Sequence, residues 1–486
     1  MTQVDIAALS PQVVWQHFQT LCTIPRPSKH EQQLRQYLQD WAESRNLETY
    51  VDEVGNLIIR KNATTGKEHV PGVILQGHLD MVTQANTGTV HDFFKDPIRP
   101  VLEDGWLIAK DTTLGADNGI GVALALAVLD SNDIAHGPIE VLLTVDEEAG
   151  MSGARLLQTG VLKGKWLFNI DTEEWGELYL GCAGSIDVEV EQSLNYEQIP
   201  KNLTALNIQV AGLKGGHSGV DIHLGRGNAN VILARFLNQH LAQFGGRLVE
   251  LSGGSARNAL PREAVATIAI SPNHLPKLEK LLSEYQTTWK KQLRGTDDNL
   301  QLSIQSTGAE VTEVIAPQQQ NEWLQALATS PYGVASMSQA LPDVVETSNN
   351  LGVVKLNREG GKAVLMVRSM VNQEAEDFAK KIQAHFSQFN IGSTLTPLVS
   401  GWTPNPDSAA LKCLQQAYQT AFNIEPNLKV IHAGLECGII AELYPDLQMV
   451  SFGPDIQGAH APGERVKVDT VEKCWKLLVT ALASVK

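Results

Sequence analysis

Four short apolar runs in this 486-residue chain, at 73–76, 139–145, 166–170 and 449–452, each give way to a segment carrying a histidine or acidic side chains. Between the first two lies an Ala- and Gly-rich apolar stretch, 119–129, that suits a helix buried on most of its faces. Apolar strands of this length alternating with helical patterns bury both faces of a sheet. They predict an α/β layer with a parallel or mixed sheet and flanking helices. Open α/β sheets collect ligands at the carboxyl ends of their strands. The pattern therefore predicts where a site lies as well as what holds it.

The flanking regions add detail. Helical periodicity runs through 11–19 and 31–45, the second opening on a Ser28-x-x-Glu31 capping box, and a strand is expected at 56–60. The character changes after Cys182-Ala-Gly-Ser185. Runs at 186–190, 206–210 and 264–270 alternate apolar and polar residues, as in a sheet with one solvated face, and helices are expected at 228–244 and 275–293. A similar strand and helix order recurs over 300–389, with strands at 352–356 and 363–367 and a helix at 374–386, although no residues repeat at a fixed period. A Gly/Pro-rich junction at 398–408 returns the chain to the first pattern: a helix at 409–422, strands at 429–431 and 449–452, and a last helix at 470–485. The expected architecture is one α/β domain, residues 1–186 and 399–486, interrupted by an inserted α+β domain at 187–398.

Composition narrows the function. With 38 basic against 54 acidic residues the formal charge is −16, which repels phosphate backbones and anionic lipid and argues against nucleic-acid or membrane binding. The five cysteines (Cys22, Cys182, Cys413, Cys437, Cys474) never form a CxxC pair and fit reduced thiols. The start of the chain lacks the basic and apolar regions of a signal peptide, and no apolar run approaches the ~20 residues of a bilayer span. A soluble, cytoplasmic protein is expected.

Five segments could carry chemistry. In Gln76-Gly77-His78-Leu79-Asp80 a continuing strand would put His78 and Asp80 on one face. That pairing suits a metal ligand with its orienting carboxylate, a base with its orienter, or simply a satisfied histidine. Asp117, in Gly115-Ala116-Asp117-Asn118-Gly119, stands where it could either meet a ligand or cap the following helix. Asp146-Glu147-Glu148 and Asp171 follow apolar strands, and His460 sits in a Gly/Pro-rich loop at 453–463. Two histidines and three carboxylates could hold two divalent cations with one carboxylate bridging, and with one hydroxide the charges balance. Oxygen and imidazole donors without thiolate suit Zn²⁺, Co²⁺ or Mn²⁺. The adjacent Glu147 and Glu148 can divide ligation and general-base duty.

These segments, GHLD, GADNG, DEEAG, the NID stretch and the late loop histidine, resemble in order the five metal-site segments of the M20 metallopeptidases. The stretches DTTLGADNGIG (111–121), GLKGGHSG (212–219), ARNALPREA (256–264) and IHAGLECG (431–438) extend the resemblance over almost the whole chain. In these stretches the chain resembles the branch of bacterial cytosolic aminoacyl-histidine dipeptidases. The resemblance implies a zinc-peptidase-like catalytic domain split by an inserted lid, and a pair of divalent metals, Zn²⁺ with Co²⁺ or Mn²⁺ able to substitute. Asp117 would bridge them, with Glu148 and His460 completing one site and His78 and Asp171 the other. Glu147 would move the proton and Asp80 would hold His78. In the lid, His217 would stabilise the oxyanion, while Asn258 and Arg368 would contact substrate, Arg368 at its C-terminal carboxylate. The implied substrates are Xaa-His dipeptides, β-alanyl-histidine among them, with other unrelated dipeptides, and a homodimer through the lid. His432 and Glu436 receive no role. Rival readings are an M20-type tripeptidase or N-acyl amino acid deacylase and a catalytically dead binder. A nucleotide enzyme fits poorly, because GADNG has neither GxGxxG spacing nor a P-loop Lys.

Overall fold

The computed structural model describes residues 6–199, 202–307, 311–339 and 341–486. They form two compact units, one of Met1–Cys182, Trp402–Val430 and Leu435–Lys486, the other of Ala183–Gly401 and Ile431–Gly434. Residues 431–434, which the sequence pattern assigns to the returning α/β segment, group with the second unit.

The first unit is built on an eight-stranded mixed sheet. Its order is Glu48–Val51, Leu57–Lys61, Ile139–Thr144, Val73–His78, Trp166–Asn169, Gln448–Ser451, Glu177–Cys182 and Asn427–Ile431. The four central strands, Ile139–Thr144 to Gln448–Ser451, are mutually parallel, so their carboxyl ends lie at one edge. Three of those four are buried at every residue, which is why they read as continuous apolar runs. In the Ala116–Asp130 helix every residue except Asp117 and Asp130 is buried. It packs on Gln12–Thr23 and Val73–His78 in a core that includes Trp15, Phe18, Phe168 and Leu477. A smaller four-stranded sheet runs Ile456–Gln457, Arg465–Lys467, Trp106–Ile108, Val101–Glu103, and its first two strands form the hairpin that carries His460.

The second unit is an antiparallel sheet with helices, as expected of an α+β insertion. Its order is Gln301–Ser306, Thr204–Ala211, Ala264–Ile270, Arg247–Gly253, Val345–Asn357, Gly360–Ser369, Gly184–Gln192, Gly392–Leu395, and Gly333–Met337 also pairs with Val345–Asn357. One of its helices, Pro317–Thr329, left no clear apolar period in the sequence. A core position there is held by Gln320, whose amide accepts from Leu248 N and donates to Gly246 O.

The expected capping box is not formed. The Gln32–Glu43 helix starts without a side-chain cap. Ser28 Oγ donates instead to Asp80 Oδ2 at 2.7 Å, and Glu31 Oε1 accepts from Lys29 N and Asp146 N, both at 2.9 Å. The Ser28 hydroxyl has found a tertiary acceptor in place of the local backbone N–H that a capping box would offer it. No helix among the described residues is long and apolar enough to cross a membrane.

Candidate active site

His78 is the last residue of a central strand and is 1% exposed. Its Nδ1 lies 3.3 Å from Asp80 Oδ1. The strand ends at His78, so Asp80 reaches the ring from the turn beyond it and not as the next residue on one strand face. Asp80 also accepts from Glu147 N at 3.0 Å and Glu148 N at 3.1 Å. Burial alone would raise the Asp80 carboxyl, but His78, Ser28 and the Glu147 amide outweigh it and hold it down at about 2. Asp80 is thus an ionised carboxylate aimed at the back of the imidazole, and it fixes the turn that bears both glutamates.

On its other side, His78 Nε2 lies 3.1 Å from Asp117 Oδ1 and 3.4 Å from Asp171 Oδ1. Asp117 Oδ2 meets His460 Nε2 at 3.1 Å, and His460 Nε2 is 3.0 Å from Glu148 Oε2. The two histidines therefore address opposite oxygens of one carboxylate. Asp117 is free to do this because it does not cap its helix. Its backbone is non-helical (φ −80°, ψ 112°). The turn leading into the helix is held instead by the Glu464 carboxylate, which accepts from the amides of Leu114, Gly115, Ala116 and Asp117 at 2.7, 2.9, 2.7 and 3.2 Å. Gly115 supplies the left-handed turn this requires (φ +69°). Arg26, buried, donates to the carbonyls of Leu79, Asp80 and Gly115 and so ties the two turns together. Sequence reasoning missed Arg26 and Glu464, which act on another segment's backbone, and the bond from Ser28 to the Asp80 carboxylate, since nothing local marks such long-range partners.

Glu147 and Glu148 begin a single helical turn, Glu147–Gly150, after Asp146 in the left-handed region (φ +56°). Burial drives the Glu147 carboxyl well above its ordinary range; Asp171, Glu436 and Glu148 add to this against His78. A carboxylate with high proton affinity beside a dense ligand set is what a proton acceptor in water activation requires.

The site residues fit divalent cations. Glu148 Oε1 and Asp171 Oδ1 are buried and receive no hydrogen bond among the described residues, an arrangement that costs free energy unless something positive meets them. One ligand atom each from His78, Asp117 and Glu148 fall within 4.8 Å of one another. Donor pairs 3.0–3.4 Å apart match the roughly 3.3 Å edge of a tetrahedron with ligands at 2.0–2.1 Å. His460, with its side chain 54% exposed, is the open side of the set.

Beside the candidate ligands lies a second group, built on Glu436, to which sequence reasoning assigned no role. Glu436, fully buried, accepts from Gln76 Nε2 and Thr144 Oγ1, both at 2.6 Å, and burial pushes it up to about 7.

The remaining predicted residues belong to the second unit. His217 Nδ1 accepts from Gly219 N and Val220 N at 3.2 and 3.1 Å, which assigns the ring proton to Nε2. Burial and the Arg368 charge lower its pKa to about 4, so the imidazole is neutral. Its Nε2 faces the Arg368 guanidinium at 3.5 Å. Arg368 is 5% exposed and pairs with no carboxylate among the described residues. Two donors thus converge without an acceptor between them. His432 Nε2 lies 2.8 Å from Ser348 Oγ, on the strand register opposite Arg368. Asn258 is exposed, and its carbonyl accepts from Ser218 N at 2.8 Å.

A model of peptidase family M20/M25/M40 matches residues 74–484. The chain belongs to this family. Across 481 residues it is 42% identical to the cytosol non-specific dipeptidase of Escherichia coli K12, covering 99% of each chain. A crystal structure of aminoacylhistidine dipeptidase from Vibrio alginolyticus superposes with a TM-score of 0.93 at 43% identity, covering 99% of this chain and 98% of that one. Aminopeptidase PepT from Bacillus cereus, at 16% identity and a TM-score of 0.56, shares the fold. The M20 chain is thus a peptidase by family, with an α/β catalytic architecture and an α+β second unit.

Proposed function

We propose that this M20 peptidase is a cytoplasmic dinuclear-metal dipeptidase that cleaves Xaa-His dipeptides, β-alanyl-histidine among them, together with other unrelated dipeptides. The observation that carries the reading is the shared carboxylate of Asp117, met by His78 on Oδ1 and by His460 on Oδ2. Asp117 would bridge two cations, Zn²⁺ or its substitutes Co²⁺ and Mn²⁺, with His78 and Asp171 completing one position and His460 and Glu148 the other. When bound, such a pair lowers the pKa of water and polarises a carbonyl oxygen.

The chain's own residues do the rest. Asp80 fixes the tautomer and angle of His78, as an orienting carboxylate does behind a ligating imidazole. Glu147 accepts the proton of the attacking water; when the C–N bond breaks it returns that proton to the leaving nitrogen. The second unit supplies the substrate-side groups. His217 offers Nε2–H to the developing oxyanion, and Arg368 takes the substrate's terminal carboxylate in bidentate fashion, with Asn258 as a further contact. The same reading makes the second unit the lid and the surface of a homodimer.

The deciding experiment is hydrolysis of β-alanyl-histidine, other dipeptides, a tripeptide and an N-acetyl amino acid, as isolated, after chelation and after metal is restored. Dipeptide cleavage that is lost on chelation and recovered with metal is expected. Cleavage confined to the tripeptide or the N-acetyl amino acid would move the assignment to another amidohydrolase of the same family.

A further inference from the structure

Glu436 opens the Glu436–Leu443 helix and is 0% exposed, yet no part of the proposed mechanism uses it. Its Oε2 takes two hydrogen bonds, from Gln76 Nε2 and Thr144 Oγ1, while its Oε1 is buried and receives none among the described residues. The two donors are not isolated. Gln76 Oε1 accepts from Asn169 Nδ2, and Asn169 Oδ1 accepts from Ser451 Oγ. Thr144, Gln76, Asn169 and Ser451 stand on the four adjacent parallel strands, paired in register Gln76 to Asn169 and Asn169 to Ser451. A row of polar side chains thus crosses the buried centre of the sheet.

The position of this row relates to the ligands. Gln76 is two residues before His78, so both side chains leave the same strand face. Asn169 is two residues before Asp171, and Thr144 lies opposite His78 in register, three residues before Glu147. Each of the three strands leading to His78, Asp171 and Glu147 therefore carries a member of the row two or three residues before that residue. A buried carboxylate costs several kcal/mol of desolvation. A mere core filler would be apolar.

We propose that Glu436 is a positioning residue for the metal centre: by gathering Gln76 and Thr144, and Asn169 through Gln76, it sets the relative height of the strand ends that present His78, Asp171 and the Glu147–Glu148 turn. This rests on the dinuclear reading, and the test separates the two.

Zn²⁺ affinity and stoichiometry are measured by competition with a chromophoric chelator on the full chain, alongside thermal unfolding of the metal-free protein. Wild type is expected to bind two ions. Glu436→Ala weakens at least one of them tenfold or more, the scale of lost support behind a ligand. Glu436→Gln, which keeps an acceptor oxygen, stays within about threefold of wild type. Thr144→Val is nearly isosteric and removes one donor; it is expected to weaken binding by more than about threefold, and it carries the test alone if Glu436→Ala does not fold. A folded Glu436→Ala, or failing that Thr144→Val, with a lowered unfolding temperature but unchanged Zn²⁺ affinity would reduce the row to a stability element and overturn the proposal. Glu436→Gln falling as far as Glu436→Ala would overturn the hydrogen-bond account. A wild type that binds no Zn²⁺ would instead sink the dinuclear reading.

Discussion

Glu464 grips the backbone of Asp117 while His460, four residues earlier on the same hairpin, meets its side chain. The Glu464 Oε1 atom accepts from Ala116 N and Asp117 N, and Oε2 from Leu114 N and Gly115 N. One hairpin thus fixes the turn and supplies a histidine to the carboxylate that the turn presents.

This coupling gives the first prediction. Glu464→Ala leaves four amides without their acceptor, each costing about 1–3 kcal/mol where water cannot replace it. The metal-free protein should lose at least about 3 kcal/mol against denaturant. Glu464→Gln, with one acceptor oxygen left, should lose less. A Glu464→Ala variant as stable as wild type would mean that solvent satisfies those amides.

Glu147→Gln should retain its metal and fold but lose about 10²–10⁴ in kcat, the span a positioned proton acceptor contributes. Metal content by mass spectrometry, measured beside steady-state kinetics, checks both halves. Turnover close to wild type would remove Glu147 from the proton path.

Arg368 can be probed through the substrate. Replacing the terminal carboxylate of a dipeptide by a carboxamide should cut kcat/KM sharply in wild type, because a desolvated guanidinium is left without its anion. In Arg368→Ala the acid should fall to the level of the amide. Equal preference for acid over amide in both proteins would place carboxylate recognition elsewhere.

His432 makes the second unit sensitive to acid. Burial, with Arg368 and neighbouring histidines, lowers its pKa from 6.5 to about 3. Below about pH 6.5 the unfolded chain binds a proton at this ring and the folded chain does not, so stability is full above that pH and falls as pH drops towards 3. At pH 5 the loss is about 2 kcal/mol relative to pH 7. Denaturant unfolding of His432→Gln at the two pH values should show a shallower fall than wild type; parallel curves would show that another group titrates.

The strands that lead to the candidate ligands were legible because buried parallel strands are apolar along their length and stop abruptly at the polar residues they deliver. His78, Asp171 and the Glu147–Glu148 pair stand out against such runs. Asp117 was ambiguous, since an acidic residue before a helix is most simply its cap. Its two side-chain oxygens meet His78 and His460, the latter more than 340 residues away in the chain, and only those tertiary contacts resolve the ambiguity. Ser28 and Glu31 misled for the same reason: a capping-box pattern is local, and the acceptors and donors these side chains found were not.

The sequence by itself determined the buried central strands and the longer helices, the alternation that makes an α/β sheet, and the residue types able to bind metal and move a proton. Those follow from short-range periodicity and from side-chain chemistry, which each segment carries with it. The tertiary structure decided which oxygen of Asp117 faces which histidine, that Asp80 lies behind His78, and that Glu436 anchors the strands beneath them. Such choices depend on packing between segments far apart in the chain, where burial makes each unpaired polar atom costly and so selects one arrangement.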